Sequence, residues 1–124
     1  HSNARGACFH LRNLSDEMIR QLAERGGVTG INFCPSFLRE EEPAAKKAST
    51  MDMVRHMKYL RNAGGIDIIG LGTDFDGFSG KTDVPDAAHM QHLADVMSHE
   101  GFTDEEIEKV FSKNVLRVFR ECWK

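Results

Sequence analysis

The chain has 124 residues, of which 40% are hydrophobic and 28% are charged, and its formal net charge is -3. This length and composition are typical of one modest globular domain. The mixed, slightly acidic charge provides no basic surface for phosphates, so we expect no nucleic-acid partner. No apolar stretch reaches the roughly 20 residues of a membrane-spanning helix, so we expect no membrane partner. Cys8, Cys34 and Cys122 are too widely spaced for a disulfide framework, which favours reduced thiols and a cytoplasmic location.

The first part of the chain predicts a helix, a strand and a long loop, in that order. The helix covers residues 15–25, with Ser15 as its N-cap and Gly26 as its stop. Residues 27–33 follow as a short apolar strand, which we expect to be buried. Residues 34–49 contain two prolines and an acidic run, and this composition predicts a loop.

The second part repeats this alternation of helix and strand. Residues 50–62 predict a helix, and residues 66–73 predict a second apolar strand followed by a glycine-rich loop. A further helix is expected over 86–99, and a last one runs to about Cys122 after a capping box that begins at Thr103. The apolar stripe of the helix over 50–62 is formed by Met53, Val54, Met57 and Leu60.

The alternation of helices with apolar strands predicts an α/β fold with parallel strands. Two such strands do not form a stable sheet alone, whereas a (β/α)8 barrel needs eight strands and about 250 residues. We therefore expect residues 1–124 to be a single partial domain, the last two to three βα units of a TIM barrel. The start on His1, without a Met or a preceding strand, favours a cut in a longer protein.

Asp74 directly follows the predicted strand over 66–73 and opens the glycine-rich loop. A carboxylate in this place lies at the carboxyl end of a parallel sheet, where α/β proteins build their sites. The Asp-x-Asp-Gly pattern also suits a turn without chemistry, because Asp bonds to nearby backbone and Gly accepts positive φ. Asp74 and Asp76 could also bind a divalent cation, but their spacing does not match a full calcium loop. The residues alone leave these interpretations open.

Two side chains near the start of the chain are further candidates. His1 would stand on the same rim if a strand precedes it, and neutral imidazole is a common zinc ligand. Without such a strand, His1 is a terminal residue with no role. Arg12 lies in a polar turn. It is either a solvated surface residue or a residue whose planar guanidinium binds a substrate carboxylate.

The other histidines show no metal-binding spacing. His56 lies near the apolar stripe of its helix, so we predict a buried packing residue with satisfied hydrogen bonds. His92 and His99 are predicted to be exposed on the helix over 86–99.

Five segments of the chain, taken together, resemble the second half of the renal (membrane) dipeptidase family. They come in the family's order and at similar spacing, and together they cover essentially the whole chain. The segments are residues 1–5 (HSNAR), 12–16 (RNLSD), 26–33 (GGVTGINF), 70–77 (GLGTDFDG) and 114–119 (NVLRVF).

The resemblance implies a hydrolase, a barrel with two zinc ions at its carboxyl end that cleaves dipeptides, including those with a D-residue in second position. By this analogy His1 is a zinc ligand, and Arg12 holds the carboxylate of the substrate. Asp74 matches the aspartate that orients the attacking water and takes its proton. Asp76 belongs to the same motif but receives no role.

The chain departs from the family pattern in its ligand set. The remaining ligands that the family uses lie upstream of the segments found here, and one imidazole does not hold a dinuclear zinc site. We therefore expect the chain alone to be inactive and to need the missing N-terminal half of the barrel as its partner. A homodimer is a second assembly that we consider.

Two other functions remain open on the residues alone. The apolar run before Asp-x-Asp-Gly resembles the nucleophile motif of haloacid-dehalogenase-like phosphatases, with Asp74 as nucleophile and Asp76 as acid–base. That motif normally lies near the N-terminus, and Phe78 replaces its usual Thr or Val. The other alternative is a non-catalytic interaction module with an exposed apolar strand edge as its partner surface.

Overall fold

The computed structural model describes residues 1–40 and 46–124, in which helices alternate with short parallel strands. The α-helices are α1 (Asp16–Glu24), α2 (Pro35–Leu38), α3 (Thr50–Gly64), α4 (Met90–His99), α5 (Asp104–Glu108) and α6 (Asn114–Cys122). The strands are β1 (Thr29–Ile31), β2 (Lys47–Ala48), β3 (Ile69–Leu71) and β4 (Lys81–Thr82). Within these ranges no helix has both the length and the apolar character to cross a membrane.

Strand β1 lies between β3 and the first residues of the chain. It pairs in parallel with β3, with Gly30 opposite Gly70. Its carbonyls alternate in direction, so Ile31 accepts from the Gly72 N–H at 3.1 Å while Gly30 accepts from the Ser2 N–H at 3.0 Å. The first residues of the chain therefore lie beside β1 on the side away from β3, although they form no assigned strand.

The two long helices predicted before residue 65 are confirmed. In α1 the Ser15 side chain accepts from the Met18 N–H at 3.3 Å, and Gly26 ends the helix with a φ of 69°. In α3 Ser49 forms a capping box with Asp52. The stripe predicted on α3 is completely buried in the core, where each apolar side chain contributes about 1.5–3 kcal/mol. The stripe consists of Met53, Val54, Met57 and Leu60.

The prediction of one loop over residues 34–49 is wrong in its described parts. Helix α2 begins at Pro35, because proline fits the first turn of a helix, where its missing N–H has no partner to lose. Lys47–Ala48 forms β2, which pairs in parallel with β4, more than 30 residues later. Residues 41–45 of the predicted loop lie outside the described residues.

The predicted strand over 66–73 is shorter than expected. Ile66–Ile68 forms a 3₁₀ turn, and only Ile69–Leu71 pairs as a strand. The Asn114 side chain provides hydrogen-bond donors for backbone carbonyls in this segment. Its amide donates to the carbonyls of Ile66 and Ile69, both at 2.8 Å. The predicted last helix is also interrupted, because a π-helical stretch at Lys109–Lys113 joins α5 to α6.

All three cysteines are free thiols, as predicted. Cys8 and Cys34 are buried, whereas Cys122 is exposed. Burial raises the pKa of the Cys8 thiol, and the nearby Glu40 carboxylate raises it further. Cys8 is therefore a weakly reactive, neutral packing residue at neutral pH.

Candidate functional site

Polar side chains gather where β1 and β3 end. Asn32 directly follows β1, and Asp74 comes three residues after β3. His1 lies against the same end, close to Gly72. A Cβ atom on Gly72 would stand 2.8 Å from the Cβ of His1, so glycine is needed there for the close approach. The carboxyl ends of these strands thus carry an imidazole, an amide and a carboxylate.

The three residues singled out from the sequence lie together at this end. His1 Nε2 is 4.0 Å from Asp74 Oδ1, and Arg12 Nη2 is 3.3 Å from His1 Nδ1. The side chains of His1 and Asp74 are 42% and 22% exposed, so both are accessible to a small molecule. The structure brings the three groups to one rim, while their chemical roles stay predictions.

A tight turn positions the Asp74 carboxylate. Asp74 has a φ of 62°, and its carbonyl accepts from the Gly77 N–H at 2.9 Å. A Cβ atom on Gly77 would collide with the Asp74 carboxylate. The turn interpretation and the site interpretation of Asp-x-Asp-Gly are therefore both compatible with this geometry, because the turn places the carboxylate on the rim. Asp76, with a φ of 65°, is exposed.

Phe37 and His10 support Arg12, and neither was a candidate in the sequence. The Arg12 guanidinium lies 5.0 Å from the centre of the Phe37 ring, within the range of a cation–π contact. The His10 ring packs edge-on against Phe37 at 4.6 Å, and the Arg12 N–H donates to His10 Nδ1 at 3.1 Å. The guanidinium is thus held over a ring while its outer face remains open to solvent.

Asn32 is the site residue that the sequence reasoning missed. Its buried side chain reaches two candidate residues, with Nδ2 at 3.0 Å from His1 Nδ1 and at 3.3 Å from Asp74 Oδ2. The signal in the sequence is weak, because Asn32 falls inside the strand predicted over 27–33, and only the observed β1, which ends at Ile31, places it at a strand end. A polar residue at the carboxyl end of a parallel strand lies where α/β proteins build their sites.

His56 is buried and satisfied, as predicted. Its Nδ1 accepts from the Ala4 N–H at 3.2 Å, and its Nε2 donates to the Leu38 carbonyl at 3.1 Å. Burial lowers the pKa of His56 to about 4, so the ring is neutral in the folded protein at neutral pH. His56 therefore ties α3 to the segment that carries His1. His92 and His99 are exposed, again as predicted.

Among the described residues, the rim brings together two side chains of types that can bind a metal. Within residues 1–40 and 46–124, no three His, Cys, Asp or Glu side chains are grouped closely enough to hold a metal ion. A structural or catalytic zinc ion takes at least three protein ligands. The rim provides one imidazole and one carboxylate, so the residues that the structure describes do not form a complete metal site.

Comparisons with known proteins agree with the resemblance seen in the sequence. The model of the family described as membrane dipeptidase, peptidase family M19, matches residues 1–123. The chain is 35% identical, over 99% of its length, to 45% of a protein from the pqqA 5′ region of Klebsiella pneumoniae. It is 33% identical, over 98% of its length, to 28% of the dipeptidase tcpJ of Claviceps purpurea.

The fold also matches a solved metallopeptidase. The crystal structure of a metallopeptidase from Rhodobacter sphaeroides, with a phosphinate mimic of the dipeptide L-Ala-D-Ala, superposes with a TM-score of 0.89. That match has 29% identity and covers 97% of this chain and 34% of that chain. The chain thus spans between 28% and 45% of the length of these relatives. The comparisons give no support to the phosphatase alternative or to the interaction module.

Proposed function

Since the chain belongs to the membrane dipeptidase family, peptidase family M19, we propose that it forms the C-terminal part of a metal-dependent dipeptidase with a (β/α)8 barrel. The substrate is a dipeptide, including one with a D-residue in second position. A mimic of such a dipeptide is bound by the Rhodobacter sphaeroides metallopeptidase, which supports this choice. The rest of the barrel would correspond to the part of the relatives' length that this chain does not span.

One observation carries the proposal: His1, Arg12 and Asp74 share one rim at the carboxyl ends of parallel strands. The imidazole and the carboxylate approach to 4.0 Å, and the guanidinium lies 3.3 Å from the other ring nitrogen. Metal-dependent hydrolysis of a dipeptide needs three groups close together: a cation for the substrate carboxylate, a base and a metal ligand. Their separation in sequence, by up to 73 residues, makes this meeting a property of the fold.

We assign a separate task to each side chain. Arg12 binds the C-terminal carboxylate of the dipeptide through its planar fork, so a longer peptide would lack a carboxylate at this position. Asp74 accepts a proton from the attacking water and returns it to the leaving amine. His1 is a metal ligand, as the family resemblance implies.

The metal we propose is zinc, with two ions in the intact site. When bound, zinc supplies an activated water and polarises the peptide carbonyl. His1 is the ligand that this chain contributes, and the other ligands belong to the missing half. The Asp74 carboxylate, to which we assign the proton transfer, lies 4.0 Å from the imidazole that would hold the metal.

We predict that the isolated chain will not hydrolyse dipeptides. Purified residues 1–124, assayed with L-Ala-D-Ala and added zinc, should show no turnover above background, because one imidazole and one carboxylate make too few ligands. The full-length protein in the same assay should be active. Turnover by the isolated chain would contradict the division of the site between two halves, and an inactive full-length protein would contradict the proposed function.

Replacing Arg12 with Met should weaken recognition of the free carboxylate. A charge-assisted hydrogen bond contributes about 1.5–3 kcal/mol, so we expect kcat/KM for L-Ala-D-Ala to fall about 10–100-fold in the full-length protein. Hydrolysis of the C-terminal amide of this dipeptide should hardly change. The matched control is Arg20→Met, because Arg20 is an exposed arginine on α1 that pairs with Glu17. Equal losses for the acid and the amide would argue against a carboxylate-binding role.

A further inference from the structure

Asn32 is fixed in place by its backbone. Its N–H donates to Asn3 Oδ1 at 2.7 Å, and its carbonyl accepts from Asn3 Nδ2 at 2.9 Å. The N–H of Asn3 in turn faces Asn13 Oδ1 at 3.3 Å. All three asparagines are buried. The segment after His1, the end of β1 and the turn before α1 are therefore locked together around Asn32.

One backbone contact determines which way the Asn32 amide faces. The Cys34 N–H lies 2.8 Å from Asn32 Oδ1. A backbone N–H can only donate, so the atom that faces it must be the amide oxygen. The amide nitrogen therefore faces the opposite way, toward the rim. Its two protons have two acceptors there, His1 Nδ1 at 3.0 Å and Asp74 Oδ2 at 3.3 Å.

This geometry specifies the tautomer of His1. The Arg12 guanidinium also approaches His1 Nδ1, at 3.3 Å. Arg12 Nη2 and Asn32 Nδ2 are both donors without acceptor capacity. His1 Nδ1 must therefore be unprotonated, and a neutral His1 ring carries its proton on Nε2, which faces Asp74 Oδ1.

We propose that Asn32 is the positioning residue of this site. One amide holds the Asp74 carboxylate in its orientation and selects the His1 tautomer of the metal-free protein. A carboxylate at position 32 would keep the bond from the Cys34 N–H but would face Asp74 with a like charge and His1 with an acceptor. The residue must therefore be neutral and must donate in two directions. The catalytic consequence rests on the proposed dipeptidase function, whereas the effect on the tautomer does not.

The tautomer can be observed directly. In the full-length, metal-free protein labelled with ¹⁵N-histidine, the signals of His1 can be assigned by their loss in His1→Gln. We expect Nδ1 of His1 to have the chemical shift of an unprotonated imidazole nitrogen, and Asn32→Asp to exchange the shifts of Nδ1 and Nε2. A protonated Nδ1 in the metal-free wild type would overturn the proposal.

The effect on turnover is measured on the metal-loaded protein. Removing a partner that orients a site residue typically costs about 10–100-fold in activity, so kcat should fall by that factor in Asn32→Asp and Asn32→Leu. KM should change little, because the Asn32 amide bonds to His1 and Asp74, whereas we assign binding of the substrate carboxylate to Arg12. Asn32→Leu removes the donor without adding charge. Its kcat tests the proposal if Asn32→Asp does not fold. A folded Asn32→Leu with the kcat of the wild type would overturn the proposal.

Asn114→Asp is the matched control. Asn114 is also a buried asparagine with two donor bonds, but its partners are the carbonyls of Ile66 and Ile69, at the other end of β3. This variant should lose stability, while the His1 shifts and the kcat of the folded fraction stay as in the wild type. Changed His1 shifts in Asn114→Asp would mean that any buried asparagine disturbs the rim, which would overturn the assignment to Asn32. A wild type without dipeptidase activity but with an unprotonated Nδ1 would contradict the proposed function and leave the positioning role intact.

Discussion

Asp74→Asn in the full-length protein should lower kcat for dipeptide hydrolysis about 10²–10⁴-fold, the usual contribution of a general base. The amide keeps the shape of the carboxylate but cannot take a proton from water. Asn also tolerates the positive φ of 62° at this position, so the turn and the bond from Gly77 should persist. Metal content, measured by elemental analysis of the purified protein, should stay nearly unchanged.

Asp76→Asn is the matched control for this change. Asp76 lies two residues further along the same turn, has a similar φ of 65° and is exposed. The two variants therefore share the charge change and the backbone conformation, but only one of them alters a group beside His1. If metal content falls together with kcat in Asp74→Asn, Asp74 is a ligand instead of a base. If both variants lose the same activity, the loss reports a damaged turn.

His56 should make the folded state acid-sensitive, with a loss of about 2–3 kcal/mol of unfolding free energy between about pH 7 and about pH 4.5. Burial lowers its pKa from 6.5 to about 4 in the folded protein, so the unfolded chain binds a proton first as the pH falls. The stabilisation is complete above pH 6.5 and is lost as the pH falls toward about 4. Protonation would also remove the acceptor that the Ala4 N–H needs, and Ala4 is three residues from His1.

Urea unfolding of the full-length protein at these two pH values measures the effect. Carboxylates also titrate in this range, so the informative quantity is the difference between the wild type and His56→Gln. The variant should be less stable at pH 7 and should lose about 2–3 kcal/mol less on acidification. His99→Gln, which removes an exposed histidine from α4, should keep the pH dependence of the wild type. An identical pH dependence in His56→Gln would show that His56 is not the acid-sensitive group.

Asp74 and Asn32 differ in how much the local sequence reveals about them. Asp74 was identified because a carboxylate after an apolar strand is a local pattern. Asn32 falls inside the strand predicted over 27–33, and an amide near a strand end does not by itself indicate chemistry. Its importance depends on contacts across 31 residues to His1 and across 42 residues to Asp74. No local pattern contains such contacts.

The sequence by itself determined helices α1 and α3, the N-cap of α1 and the order of the two buried strands. These features depend on neighbouring residues, such as the Ser15 N-cap of α1 or the spacing of the α3 stripe. Only the tertiary structure decided the pairing of Lys47–Ala48 with Lys81–Thr82 and the bonds from Asn114 to the carbonyls of Ile66 and Ile69. The same holds for the meeting of His1, Arg12, Asn32 and Asp74. The physical reason is that hydrogen bonds between distant segments form only after the core has packed and has placed the strand ends side by side.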